Sequence, residues 1–102
     1  MRFSEQWVEP ITEGRKVQTI RRTARVAPGD QVTAMVKGRA FARLEIEAVD
    51  VVPVAELDAH DARREDVPDV ETLRQAVHRL YRGADVVARV RFRLVETLGG
   101  LA

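Results

Sequence analysis

Apolar side chains fall on every second residue from Val86 to Leu94 (Val86, Ala88, Val90, Phe92, Leu94), with Val87, Arg89, Arg91 and Arg93 between them. A period of two with charge on one phase predicts a strand buried on one face, wet on the other and paired antiparallel to a neighbour. A different rhythm precedes it. Leu73, Ala76, Val77 and Leu80 recur at i, i+3, i+4 and i+7, with Asp69 in the N-cap position and Gly83 just past the end, which predicts an amphipathic helix. Between Pro53 and Pro68, the stretch Val54 to Glu65 also reads as helical, with Val54 and Leu57 inward and a charged outer face.

The first half of the chain is mostly strand-like. Val17 to Arg22 and Gln31 to Val36 read as strands separated by a turn at Ala27-Pro28-Gly29-Asp30, and Lys37-Gly38-Arg39 leads tightly into a long third strand from Ala40 to Val52. Within that strand the apolar phase slips between Ile46 and Val49, which predicts a bulge or bend. Met1 to Phe3 forms a possible short strand. Trp7, Val8 and Ile11 give a helix of one or two turns, with Pro10 tolerated in its first turn and Gly14 ending it. Several strands around two or three helices predict an α+β domain built on a small, partly closed, mixed or antiparallel β-barrel, one domain over residues 1–102.

Composition narrows the function. Seventeen Lys and Arg against sixteen Asp and Glu leave a formal charge of +1, so no global basic field holds a long nucleic acid by phosphate neutralisation. With no cysteine there are no disulfides, thiol nucleophiles or thiolate metal sites. His60 and His78 fall on different predicted helices without partners at ligand spacing, so neither a metal nor a cofactor is expected. No apolar run approaches the roughly 20 residues of a membrane span, and the N-terminus lacks a secretory pattern, so the expectation is a cytoplasmic chain with no membrane partner.

The most specific segment is Gly14-Arg15-Lys16-Val17-Gln18-Thr19-Ile20-Arg21, of the form G-x-K-x-x-T-x-R. On a regular strand Thr19 and Arg21 share a face, whereas Lys16 points to the other, so convergence requires Lys16 to reach in from the loop after Gly14. Spacing alone leaves open that Lys16 and Arg21 are solvated charges and Thr19 an ordinary strand residue. Because the other basic residues apart from Lys37 are arginines, a lysine here draws notice: a desolvated Lys can lose its proton and Arg cannot.

The octet resembles the signature of the ASCH domain family, itself similar to the PUA domains of RNA-modifying proteins. The resemblance continues through Pro28-Gly29-Asp30, the long strand to Val52, His60-Asp61-Ala62-Arg63-Arg64-Glu65, Leu80-Tyr81 with Gly83, and the last strand to Leu94. In length and in these segments the chain is most similar to the small bacterial N(4)-acetylcytidine amidohydrolases. That resemblance implies deacetylation of N(4)-acetylcytidine, as nucleoside or related small molecule, with Lys16, Thr19 and Glu65 as the catalytic set. It also keeps open an RNA-binding or RNA-processing module without hydrolase activity. Glu65 draws its role from the resemblance alone, since it lies in a dense run of acids that otherwise reads as a solvated helix face.

Arg21 offers a planar fork for a phosphate, a ribose hydroxyl or a base carbonyl, or alternatively a salt bridge at a strand edge. Trp7 and Tyr81 are the aromatic candidates for stacking on a pyrimidine, whereas Phe41 reads as core. Arg89, Arg91 and Arg93, with Arg15, Arg21, Arg22 and Arg25, form either a local phosphate-binding patch or a solvated face balanced by nearby acids.

Overall fold

The structure is a computed structural model and describes residues 1–99. After a 3-10 turn at Glu5–Trp7 the elements run α1 (Val8–Thr12), β1 (Gln18–Arg21), β2 (Gln31–Val36), β3 (Arg39–Pro53), a 3-10 turn at Val54–Glu56, α2 (Ala59–Arg64), α3 (Val70–Leu80) and β4 (Val86–Thr97). All four strands form one antiparallel sheet in the order β1-β4-β3-β2.

The α+β class stands, and the expected partly closed barrel takes the form of an open four-stranded antiparallel sheet. Met1–Phe3 does not become a strand. It makes a parallel bridge to the β2 edge through Arg2 and Met35, with Phe3 N–H donating to the Met35 carbonyl at 2.9 Å. Between this segment and β1 no backbone ladder forms among the described residues, and the Arg21 side chain spans the gap by donating from Nη2 to the Arg2 carbonyl at 2.8 Å. The first and last strands of the sheet do not pair, so β1 keeps a free edge.

The phase slip in β3 is a bulge. Ile46 pairs with Phe92 and Ala48 with Arg91, leaving Glu47 as the additional residue. The slip keeps Ile46 and Val49 on one face, with Val90, Phe92, Phe41 and Leu44 in the larger core. A smaller core lies on the opposite face, where Val87, Ile20, Val54 and Leu57 receive Leu73 and Val77 of α3. Near its start β4 is therefore buried on both faces, at Val87 and Ala88, while Val86 before them is exposed, which departs from the simple alternation. Leu80, at the end of the apolar stripe of α3, is also exposed.

The single long helix expected from Val54 to Glu65 breaks at Leu57, whose backbone is extended. Asp58 then caps α2 by accepting from the Asp61 N–H at 3.1 Å, while Asp61 Oδ2 accepts from the Asp58 N–H at 3.0 Å. At the other end Asp66 N–H donates to the Arg63 carbonyl and Val67 N–H to the Ala62 carbonyl, a paired closure that places Asp66 at φ 58°. This closure fixes Glu65 at the helix end. Among the described residues no helix is long and apolar enough to cross a membrane.

Candidate functional site

A cavity of about 230 Å³ lies along the free edge of β1, between the N-terminal segment and α3. Its wall contains Trp7, Lys16, Thr19, Arg21, Glu65 and Tyr81, over a floor that includes Leu73 and Val77. The residues singled out as catalytic or substrate-binding candidates thus border one space.

Lys16 enters as its spacing requires. Gly14 takes φ 78°, a left-handed conformation open to glycine, and the chain doubles back so that the Arg15 and Lys16 N–H groups both donate to the Pro10 carbonyl, at 2.8 and 3.0 Å. Lys16 therefore precedes β1 and approaches from the loop. Its Nζ lies 2.7 Å from Glu65 Oε1, with side chains only 3% and 6% exposed, and stands 4.3 Å from the centre of the Trp7 ring. Burial pushes the Lys16 ammonium below the usual lysine range, opposed by the charge and hydrogen bond of Glu65. Burial likewise pushes the Glu65 carboxyl above the usual carboxylate range, opposed by Lys16 and by hydrogen bonding from Gln18. Both displacements run toward the neutral forms, against the attraction between the two groups.

Thr19 is buried, and its Oγ1 accepts from Arg21 Nε at 3.2 Å. The Arg21 guanidinium stands 5.1 Å from the Phe3 ring, so its planar group is held between strand and N-terminal segment. On the far side Tyr81 Oη donates to the Ile20 carbonyl at 3.1 Å, and Arg22 packs over the Tyr81 ring at 5.9 Å. The Ile20 backbone thus faces away from β4, toward the cavity. An amine able to take a proton, an acid able to give one and a hydroxyl beside a guanidinium supply the parts for hydrolysis of an acyl bond.

Gln18 was not among the residues singled out from the chain. It is completely buried on β1 and donates from Nε2 to Asp61 Oδ1 at 3.1 Å, and Asp61, equally buried, also accepts from Arg89 Nη1 at 3.1 and 3.2 Å. Gln on a strand carries no distinctive pattern, and its partner lies 43 positions away. Of the two readings of the β4 arginines, ion pairing favours the face balanced by nearby acids. Arg89 is held by Asp50 and Asp61, Arg93 by Glu45, and Arg15 by Glu13 and Asp66, so on β4 Arg91 alone has no ion pair among the described residues. Phe41 is core, and His60 and His78 are exposed.

No protein-family model matches the chain, and no curated protein matches it in sequence. Solved structures do match. A protein of Enterococcus faecalis V583 superposes with a TM-score of 0.81 at 12% identity, over 90% of this chain and 68% of that one. ASCH from Zymomonas mobilis gives 0.75 at 12% identity over 96% and 70%, and an ASCH domain from Lactobacillus crispatus gives 0.66 at 16% over 85% and 69%. These likenesses establish that the chain has the fold of ASCH domains.

Proposed function

We propose that this ASCH-fold chain is an amidohydrolase that releases acetate from N(4)-acetylcytidine as a nucleoside or related small molecule. The observation that carries the reading is the buried Lys16–Glu65 pair, 2.7 Å apart at the wall of a cavity that also contains Thr19. A buried amine and carboxyl displaced toward their neutral forms are costly to maintain in a small domain and suit proton transfer. The cavity volume, about 230 Å³, lies below the ~300–1,000 Å³ of sites for larger ligands and favours one base with its acyl group.

In this reading Thr19 Oγ1 attacks the acetyl carbonyl while neutral Lys16 takes the hydroxyl proton. The Arg21 Nε–H directed at Oγ1 stabilises charge that gathers on that oxygen. As the C–N bond breaks, protonated Glu65 gives its proton to the exocyclic nitrogen and cytidine leaves. Water then attacks the acetyl-Thr19 ester, giving one proton to the Glu65 carboxylate; Lys16 returns its proton to the departing Oγ1, and acetic acid leaves and ionises in solvent. Trp7 and Tyr81 border the space a pyrimidine ring would occupy.

Incubation with N(4)-acetylcytidine, followed by chromatography for cytidine, tests the reading with Lys16→Ala alongside. Release by the parent and its loss in the variant are expected. Salt-dependent RNA retention without any release would replace this reading with an RNA-binding module. Rapid quenching and intact mass of the parent should reveal an acetyl adduct that Thr19→Ala lacks; its absence would assign the attack to water.

A further inference from the structure

The cavity wall carries more positive charge than its own residues neutralise. Glu65 is the one acid among the described residues that line it, and Lys16 already holds it at 2.7 Å. Wherever the proton of that pair sits, the pair contributes no net charge. Arg2 and Arg21 remain, on the wall formed by the N-terminal segment and the end of β1, and neither has an ion pair among the described residues. Arg2 is exposed and Arg21 is half-buried. Burial pushes the Arg21 guanidinium below its ordinary value, yet an arginine does not give up its proton in a protein, so a fixed charge stands partly out of water. Two N–H groups of its fork are spent on neutral acceptors, the Thr19 hydroxyl at 3.2 Å and the Arg2 carbonyl at 2.8 Å, and the others have no protein acceptor among the described residues. A desolvated fork with unspent donors is the complement of an oxyanion.

The anchoring of that fork shows which end of a ligand bears the anion. Nε is tied to the hydroxyl that the proposed reaction acylates, so the outer nitrogens lie a few bonds from the same oxygen. A carboxylate on the acyl chain reaches them across one or two methylenes. A ribose phosphate does not, because the sugar leaves the pyrimidine on the side opposite the exocyclic nitrogen that carries the acyl group. The α3 wall offers Leu73, Ala76, Val77 and Leu80, which suit a base and repel a charge.

We propose that Arg21, with Arg2 as the second charge of the same wall, selects an acyl group that ends in a carboxylate, so that the preferred substrate is cytidine bearing a dicarboxylic acyl chain such as succinyl on its exocyclic nitrogen. The inference rests on the amidohydrolase reading and deepens it, acetyl being the smallest acyl group turned over and not the preferred one. The bonds are those already described. The amide C–N bond breaks, the acyl carbon passes to Thr19 Oγ1 and then to water, and cytidine and succinate leave.

The test is cytidine release from N(4)-acetyl-, N(4)-succinyl- and N(4)-succinamoylcytidine, the last being the neutral isostere of the second. In the parent, kcat/KM for succinyl should exceed that for succinamoyl by about ten- to a hundredfold, the effect of a charge-assisted hydrogen bond. In Arg21→Gln this ratio should fall to about one, whatever rate is lost from all three substrates together. Arg2→Gln keeps the backbone carbonyl that Arg21 uses and should lower the ratio severalfold. A parent ratio near one, or a ratio unaltered in Arg21→Gln, overturns the proposal while release from N(4)-acetylcytidine leaves the function standing. A preference for 5′-phosphorylated N(4)-acetylcytidine without one for succinyl moves the anion to the sugar and overturns it too. Should Arg21→Gln fail to fold, the parent ratio and Arg2→Gln decide. Release from succinyl alone supports the proposal and removes acetyl from the function, whereas release from none removes both.

Discussion

Replacing Arg89 with Met keeps the alkyl stem and strips the guanidinium from a carboxylate that has no access to water. Arg89 Nη1 reaches both oxygens of Asp61, at 3.1 and 3.2 Å, and Asp61 is 0% exposed. Two neutral donors remain, Gln18 Nε2 at 3.1 Å and the Asp58 N–H at 3.0 Å. Removing one partner of a buried ion pair costs about 3–5 kcal/mol. The lower end applies here, because two donors persist and the Arg89 side chain is itself 24% exposed. The second arm, to half-exposed Asp50, adds well under about 1 kcal/mol. Total stability of domains lies at ~5–15 kcal/mol, so a loss of about 3 kcal/mol is a large share. At ~4–8 °C per kcal/mol for a chain of this size, the melting midpoint falls by about 12–24 °C. Calorimetry and urea unfolding at neutral pH measure it. Adding Asp61→Asn removes the stranded charge while keeping an acceptor for Gln18 or Asp58, and should recover about 2 kcal/mol. A single variant within about 1 kcal/mol of the parent, or a double variant no more stable than the single, would refute the account of Asp61 as a buried charge held by Arg89.

Cytidine release should follow a bell-shaped pH profile, because the Lys16–Glu65 pair works while it shares one proton: a second proton quenches the base at low pH and loss of the last one removes the acid at high pH. Glu65→Gln should abolish the alkaline limb in whatever activity remains. In stability the sign runs the same way. Glu65 is held above its ordinary 4.5, so the folded protein binds that proton more tightly, and the parent loses stability relative to Glu65→Gln as pH rises through 4.5 until the raised value is passed; pH-dependent melting of the two proteins checks it. Tyr81→Phe removes the donor to the Ile20 carbonyl and should cost about 1 kcal/mol, with a drop of about 4–8 °C in the melting midpoint. Phe92→Ala empties a fully buried site against the Phe3 ring, 6.1 Å away, and should cost about 3–5 kcal/mol by urea unfolding.

Much of the local structure was legible in the chain because it is written at short range. The capped stripe of α3, the bulge in β3 and the entry of Lys16 from the loop after Gly14 all rest on neighbours within a few residues. The break of the helix at Leu57 had a local sign too: Asp58 and Asp61 at capping-box spacing, outweighed by the apolar Val54 and Leu57 upstream. Closure of the sheet was not legible. Alternation shows which face of a strand is buried and is silent on whether the last strand meets the first. Val87 is buried because α3 packs over it, and Leu80, bordering the cavity, stays exposed, outcomes of docking that a helical period does not contain. The same limit applies to the candidate site. Lys16 and Glu65 are 49 positions apart, and Gln18 becomes remarkable only when Asp61 and Arg89 arrive from α2 and β4.

The gap between β1 and the N-terminal segment has a consequence for how this domain can evolve. Backbone groups at a strand rim attract any partner with complementary donors and acceptors, including another protein chain. Here a tyrosine hydroxyl occupies the Ile20 carbonyl on that rim, the Arg21 fork reaches across to the Arg2 carbonyl, and the cavity opens beside them. In the proposed reading a flat heterocycle docks where an additional strand would have paired. Substitutions that draw Met1–Phe3 onto β1 would finish the barrel and firm up the fold, and they would fill the cavity as they did so. Robustness and ligand access compete for the same row of amides.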